Sequence, residues 1–93
     1  MEILERCRDL IEKVEIAGDK LDNVQIALSR EQNLEKLEKL WAEEFNLMMT
    51  LAAASEDAMA AIDELEEKEG MTFICTRMRQ RLSTLHRGLV VNV

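Results

Sequence analysis

The residues best suited to chemistry in this chain are arginines and carboxylates, and they lie in separate segments. Residues 1–70 contain 19 acids and eight basic residues, whereas residues 71–93 contain no acid and four arginines: Arg77, Arg79, Arg81 and Arg87. A guanidinium group can bond two oxygens of a carboxylate or a phosphate at once. The arginine segment is therefore suited to binding carboxylates or phosphates.

Heptad spacing favours carboxylates as the targets of these arginines. Arg79 falls at an e position and Arg81 at a g position, which reach toward charges on a facing helix. The acidic stretch "EDAMAAIDELEEKEG" directly precedes them. We predict that Arg77, Arg79 and Arg81 complement this helix, in the same chain or in a partner. The alternatives are an acidic site on another protein, or nucleic acid, which the net charge of −11 on residues 1–70 would repel.

The carboxylates of "DELEEKE", residues 63–69, allow a further hypothesis. Rows of carboxylates on a rigid helix can imitate phosphates and occupy a basic site on another protein. The chain would then be a small acidic inhibitor or regulator of a nucleic-acid-binding protein. Such runs are more often solvated faces that keep a small protein soluble, with a net charge here of −7.

No set of residues predicts catalysis or a bound metal. The chain has no GxSxG, HExxH, glycine-rich phosphate loop or EF-hand loop. Cys7 and Cys75 lack CxxC spacing, and His86 is the only histidine, whereas zinc requires about four ligands. We therefore expect a non-enzymatic chain without catalytic residues, metal or cofactor, and two free cysteines in the core.

The composition predicts an all-α protein. Proline and tyrosine are absent, aromatic residues are few, and helix-forming Glu, Leu, Ala, Lys, Arg and Met dominate. The longest nearly uncharged run, residues 45–55, is too short to cross a bilayer, which needs about 20 residues. No secretory signal is visible. We expect a soluble, cytoplasmic protein that forms one helical domain over residues 1–93.

Apolar spacing predicts three helices, at about residues 2–28, 30–69 and 72–88, with a tail at 89–93. The first helix has a heptad seam: Ile3, Cys7, Leu10, Val14, Ala17, Leu21, Val24 and Leu28. A second seam comprises Leu34, Leu37, Trp41, Met48, Leu51, Ala58, Ile62 and Leu65. We predict an elongated helical hairpin or three-helix bundle with coiled-coil-like packing, in which the first and third helices each cover one half of the second.

The helix boundaries depend on a few local signals. The seam slips phase after Leu28, and Ser29 with Gln32 forms a capping-box pattern, so we favour a turn there over a continuous, distorted helix. Gly18 and "SED" at residues 55–57 are possible breaks, but the seams keep phase through both. Gly70 predicts a helix end with a left-handed residue.

The second helix carries more apolar surface than one neighbour can cover, because twelve of the sixteen residues from 47 to 62 are apolar. A second chain would cover the surplus, so we predict a homodimer, an assembly with another protein, or both. The alternative is a compact monomeric bundle. The leading hypothesis is a protein-interaction or adaptor module that acts through helix packing, with these apolar contact residues: Trp41, Phe45, Met48 and Leu51.

Overall fold

The chain folds into three helices joined by short connections. The computed structural model describes the backbone of residues 2–91 and the side chains of residues 2–84. Over this range the helices are α1 (Glu2–Arg30), α2 (Leu34–Glu69) and α3 (Thr72–Val91), and there is no strand. The all-α prediction is confirmed. The molecule measures 52 × 21 × 14 Å, so it is elongated along α2.

Ion pairs between the helices show their relative directions. Arg6 near the start of α1 pairs with Glu64 near the end of α2, so these two helices are antiparallel. Arg79 of α3 pairs with Glu66 of α2, and α3 therefore folds back along α2. Arg81 of α3 contacts Glu15 of α1, which closes a three-helix bundle at this end of the molecule.

The three helices differ in how much of α2 they cover. At 1.5 Å per residue, α2 is about 54 Å long, α1 about 43 Å and α3 about 30 Å. The expectation that α1 and α3 each cover one half of α2 is wrong, because the turn at residues 31–33 aligns the end of α1 with the start of α2. Helix α1 therefore runs along most of α2, and α3 is added only beside its C-terminal part.

One apolar cluster joins all three helices. The α1 seam is confirmed, since each of its members is buried or half-buried. The cluster consists of Cys7, Ile11, Val14, Ala17, Leu21, Leu51, Ala58, Ala61, Ile62, Leu65, Cys75, Met78 and Leu82. Most of its α2 and all of its α3 members lie at the three-helix end. The opposite end has only α1 and α2 to form a core.

The predicted α2 seam is only partly buried. Residues 34, 41, 48, 55 and 62 form a heptad series, and along it the side chains change from exposed (Leu34, Trp41) through half-buried (Met48) to buried (Ser55, Ile62). A straight α-helix drifts about 20° per heptad relative to such a series. The series therefore turns away from α1 toward the N-terminus of α2, where α3 is absent and does not cover it.

The first turn lies later than the sequence predicts. Helix α1 extends to Arg30, and α2 begins at Leu34 rather than at residue 30. The N-cap is Asn33, whose Oδ1 accepts a hydrogen bond from the Lys36 backbone N–H at 3.2 Å. The Ser29 hydroxyl instead donates to the Ile26 carbonyl within α1. The predicted turn is confirmed, but the capping box at Ser29 is wrong because α1 retains that residue.

Of the other predicted helix boundaries and breaks, some are confirmed and others differ in detail. Helices α1 and α2 are continuous through Gly18 and through residues 55–57, as predicted. Gly70 ends α2 with φ 84° and ψ −55°, and its N–H donates to the Glu66 carbonyl. The positive φ was expected, but this ψ lies outside the left-handed helical region. Helix α3 extends through Gly88 to Val91, so the predicted tail is helical to that point, and Asn92 and Val93 lie outside the described residues.

Candidate functional site

The N-terminal part of α2 presents a row of large apolar side chains to solvent. Leu34 is 78% exposed, Trp41 55%, Phe45 62% and Met49 59%. These residues follow one another at spacings of seven, four and four, so they lie on one side of the helix. We call this set (Leu34, Trp41, Phe45 and Met49) the uncovered face. Scattered single apolar residues are normal on a protein surface, but a contiguous row is typical of an interaction site.

The uncovered face continues the side of α2 on which α3 packs. Phe45 precedes Asp63 by eighteen residues, which is five full turns at 3.6 residues per turn. Asp63 and Glu66 are the residues that bind Arg79 of α3. Phe45 therefore has, in the N-terminal part of α2, the orientation of Asp63, which stays 65% exposed at the edge of the contact with α3.

Helix α1 contributes one exposed apolar residue to the same side of the molecule. Glu15 contacts Arg81 and so marks the edge of α1 that faces α3. Ile26 lies eleven residues later, about three turns, and therefore on the same edge. It is about half exposed. The exposed apolar surface thus extends from α2 onto α1 at the end that α3 does not reach.

The predicted apolar contact residues divide into two groups. Trp41 and Phe45 are exposed and belong to the uncovered face, whereas Met48 is half-buried against the core. Leu51 is 2% exposed and lies in the core, so it cannot contact a partner in this fold. The prediction missed Met49 and Ile26, and it placed Leu34 in a buried seam. The spacing of residues 34, 41, 45 and 49 would have revealed the row.

The predicted arginines differ in the carboxylates that they contact. Arg79 donates to Glu66 at 3.0 Å and to Asp63 at 2.7 Å. These contacts raise the pKa of the Arg79 guanidinium further above its ordinary value, with the hydrogen bonds to Glu66 as the largest cause. Arg81 bonds to Glu15 of α1 rather than to the preceding acidic helix. Arg77 is exposed and forms no ion pair with a described residue, and the side chain of Arg87 lies outside the described range.

The acidic run at residues 63–69 is largely engaged within the chain. Asp63 and Glu66 bind Arg79, and Glu64 binds both Arg6 and Lys68. The pKa of Glu64 is lowered, chiefly by the hydrogen bond from Lys68 and also by the charge of Arg6. Only Glu67 and Glu69 of the five carboxylates form no ion pair with the side chains that the structure describes. A row of free carboxylates is therefore not present.

Both cysteines are free and buried, as predicted. The Cys75 thiol donates to the Ile62 carbonyl at 3.8 Å, across the α2–α3 interface. Burial is the largest cause of a raised pKa in both thiols, and the nearby Cys75 adds to it for Cys7. The thiols therefore stay protonated at neutral pH and act as small apolar core residues.

Among the side chains of residues 2–84, the remaining surface offers no recognisable catalytic arrangement. A groove between α1 and α3 is lined by two arginines, two glutamates and two apolar residues: Arg8, Ile11, Glu12, Glu15, Met78 and Arg81. It contains no nucleophile, and its arginines and glutamates balance in charge. Within the described residues, no group of three or more His, Cys, Asp or Glu side chains could hold a metal ion.

Comparisons with protein-family models, with curated proteins and with solved structures found no match to this chain. Among the described residues, no helix combines the length and the apolar character needed to span a bilayer. A functional interpretation must therefore be based on the chain's own surface, in which the uncovered face is the most distinctive feature.

Proposed function

We propose that this chain is a non-enzymatic interaction or adaptor module that binds a protein helix through coiled-coil-like packing on the uncovered face. One observation carries the proposal: Trp41 and Phe45 are exposed on the side of α2 that borders α3 further along, where Asp63 binds Arg79. A third helix packs beside this side at one end of the molecule, through the contacts of Arg79 with Asp63 and Glu66. A helix from a binding partner would do the same at the other end.

The physical reason for binding is burial of apolar surface. Removing apolar surface from water contributes about 25 cal/mol per Å². Aromatic side chains are the usual centres of binding energy at protein interfaces, because they bury large areas with few rotatable bonds. Trp41 and Phe45 are one turn apart on a rigid helix, so they would enter an interface together.

The two alternatives have less support from the ion pairs. Inhibition of a nucleic-acid-binding protein needs free carboxylates, but three of those in residues 63–69 bind cations of this chain. Nucleic-acid binding by α3 needs free arginines, but Arg79 and Arg81 contact carboxylates of α2 and α1. Both alternatives, and the cytoplasmic location, stay predictions.

Native mass spectrometry of the protein purified from its own source tests the proposal. The wild-type chain should appear in an assembly, either with itself or with another protein. The double variant Trp41→Ala/Phe45→Ala should appear as a monomer with unchanged helical circular dichroism. Phe73→Ala is the matched control, because Phe73 is 77% exposed but lies on α3 outside the uncovered face. A wild-type chain that is only monomeric would refute the proposal.

A further inference from the structure

We infer that the uncovered face is covered by the same face of a second copy of this chain. In this arrangement the two α2 helices pack antiparallel across a two-fold axis at Phe45. The inference rests on the proposed function and names its partner. Three features of the described residues carry it: the spacing of the face, its area and the distribution of charge along α2.

The spacing of the face is symmetric about Phe45. Trp41 lies four residues before Phe45, and Met49 lies four residues after it. An antiparallel pair centred on Phe45 therefore places Phe45 against Phe45 of the partner subunit, and Trp41 against the partner's Met49. Paired aromatic rings and contacts between a thioether and an aromatic ring are both favourable. A two-fold interface requires self-complementarity of this kind.

The area of the face is sufficient for a dimer. A fully buried aromatic side chain removes about 150–250 Å² from water. With the exposed fractions of Leu34, Trp41, Phe45 and Met49, each copy presents roughly 500 Å² of this surface. Two copies would bury on the order of 1,000 Å², which is the lower limit for a specific interface. Ile26 and the polar residues beside the face add to this area.

The charges on α2 favour the antiparallel orientation. Residues 56–69 contain seven acids and one lysine, whereas residues 45–55 contain no charged residue. An antiparallel pair centred on Phe45 sets the uncharged residues 45–55 of each copy against residues 35–45 of the other, and it keeps the two acidic segments at opposite ends of the pair. It places the two copies of Asp63 about 54 Å apart along the helices, at 1.5 Å per residue. That separation is far beyond the Debye length of about 8–10 Å. A parallel pair would set the two acidic segments side by side.

The first test is the mass of the purified full-length chain by sedimentation equilibrium. We expect a dimer for the wild type, a monomer for Phe45→Glu, and a dimer for the control Phe73→Glu. The charge at position 45 would face its own copy across the axis, which is why this variant is chosen. Trp41 is the only tryptophan, so its emission should shift to longer wavelength when the wild-type dimer dissociates on dilution.

The second test fixes the orientation by cross-linking. Cys7 and Cys75 are buried, so a cysteine placed on the uncovered face is the accessible thiol. Phe45→Cys should form a disulfide-linked dimer with diamide as the oxidant, because only a residue near the axis meets its own copy. Phe73→Cys, equally accessible but distant from the axis, should stay monomeric on a denaturing gel.

The outcomes separate this inference from the proposed function. Suppose that the purified wild-type chain does not dimerise but assembles with a different protein, and that Trp41→Ala/Phe45→Ala abolishes this assembly. That result would refute the dimer and support the interaction function. A dimer that persists in Phe45→Glu would refute the uncovered face as the dimer interface. A dimer that cross-links through Phe73→Cys but not through Phe45→Cys would do the same.

Discussion

Arg79 of α3 donates from two of its nitrogens to the carboxylate of Glu66 on α2, at 3.0 and 3.4 Å. One of these nitrogens also donates to Asp63, so a single guanidinium joins two carboxylates one turn apart. This contact shows that a positive charge of the basic C-terminal segment is used within the chain. Of the three α3 arginines whose side chains are described, Arg79 and Arg81 attach α3 to acids of α2 and α1.

We predict that Arg79→Gln destabilises the fold by about 0.5–1 kcal/mol, because the side chain is partly shielded and engages two carboxylates. Arg77→Gln should change stability far less, since Arg77 is exposed and forms no ion pair with the described residues. Urea unfolding followed by circular dichroism measures both. The difference should shrink at high salt. Equal effects of the two substitutions would contradict this role for Arg79.

Asn33 should be the more important of the two candidate caps in the first turn. Asn33→Ala removes the acceptor for the Lys36 N–H, and we expect a loss of about 1 kcal/mol in unfolding free energy. Ser29→Ala removes only a hydroxyl that bonds within α1, so its effect should be within about 0.5 kcal/mol. Thermal unfolding of the two variants provides the comparison. A larger loss for Ser29→Ala would mean that α2 begins earlier.

Leu51 and Trp41 should respond differently to truncation, although both belong to the predicted seam. Leu51→Ala leaves a cavity in the core and should reduce stability by about 2–5 kcal/mol. Trp41→Ala removes an exposed side chain and should hardly change the unfolding of the monomer. Chemical unfolding at protein concentrations below the dissociation constant of the dimer isolates this effect. A large loss for Trp41→Ala in that range would show that Trp41 is a core residue.

Glu64 should contribute to the pH dependence of stability. Its pKa is lowered in the folded state, first by the hydrogen bond from Lys68, so its contribution is present above the unfolded pKa and is lost as pH falls through the folded pKa. Glu64→Gln should therefore lose less stability than the wild type between neutral pH and the acid range. Unfolding curves at several pH values measure this difference, with Glu69→Gln as the control. Identical pH profiles for wild type and Glu64→Gln would contradict the prediction.

Some helix boundaries could be predicted from the neighbouring sequence, and others could not. The stop at Gly70 and the continuity at Gly18 follow from backbone preference and seam phase, and both are confirmed. The choice between Ser29 and Asn33 as the cap could not be predicted, because both residues suit an N-cap. In the structure α1 remains helical for one residue after Ser29, and Asn33 is the residue that directly precedes α2.

The candidate site was only partly predictable, because the exposure of an α2 residue depends on where α3 ends. Heptad spacing assigns Trp41 and Ile62 to one seam, yet Trp41 is exposed and Ile62 is fully buried. Likewise, spacing identified Arg79 and Arg81 as flanking charges, but it did not reveal that Arg81 contacts Glu15 on α1. Contacts between residues far apart in the chain require the relative positions of three helices.

Composition and apolar spacing alone determined that the chain is helical, that its cysteines are core residues and that α2 has more apolar surface than one neighbour covers. Helix propensity and amphipathic spacing are local properties, so they can be read along the chain. Only the tertiary structure decided which part of that surface remains exposed. Helix α3 is shorter than α2 and packs beside its C-terminal part, so Trp41 and Phe45 remain in solvent, whereas Ile62 of the same heptad seam as Trp41 is buried.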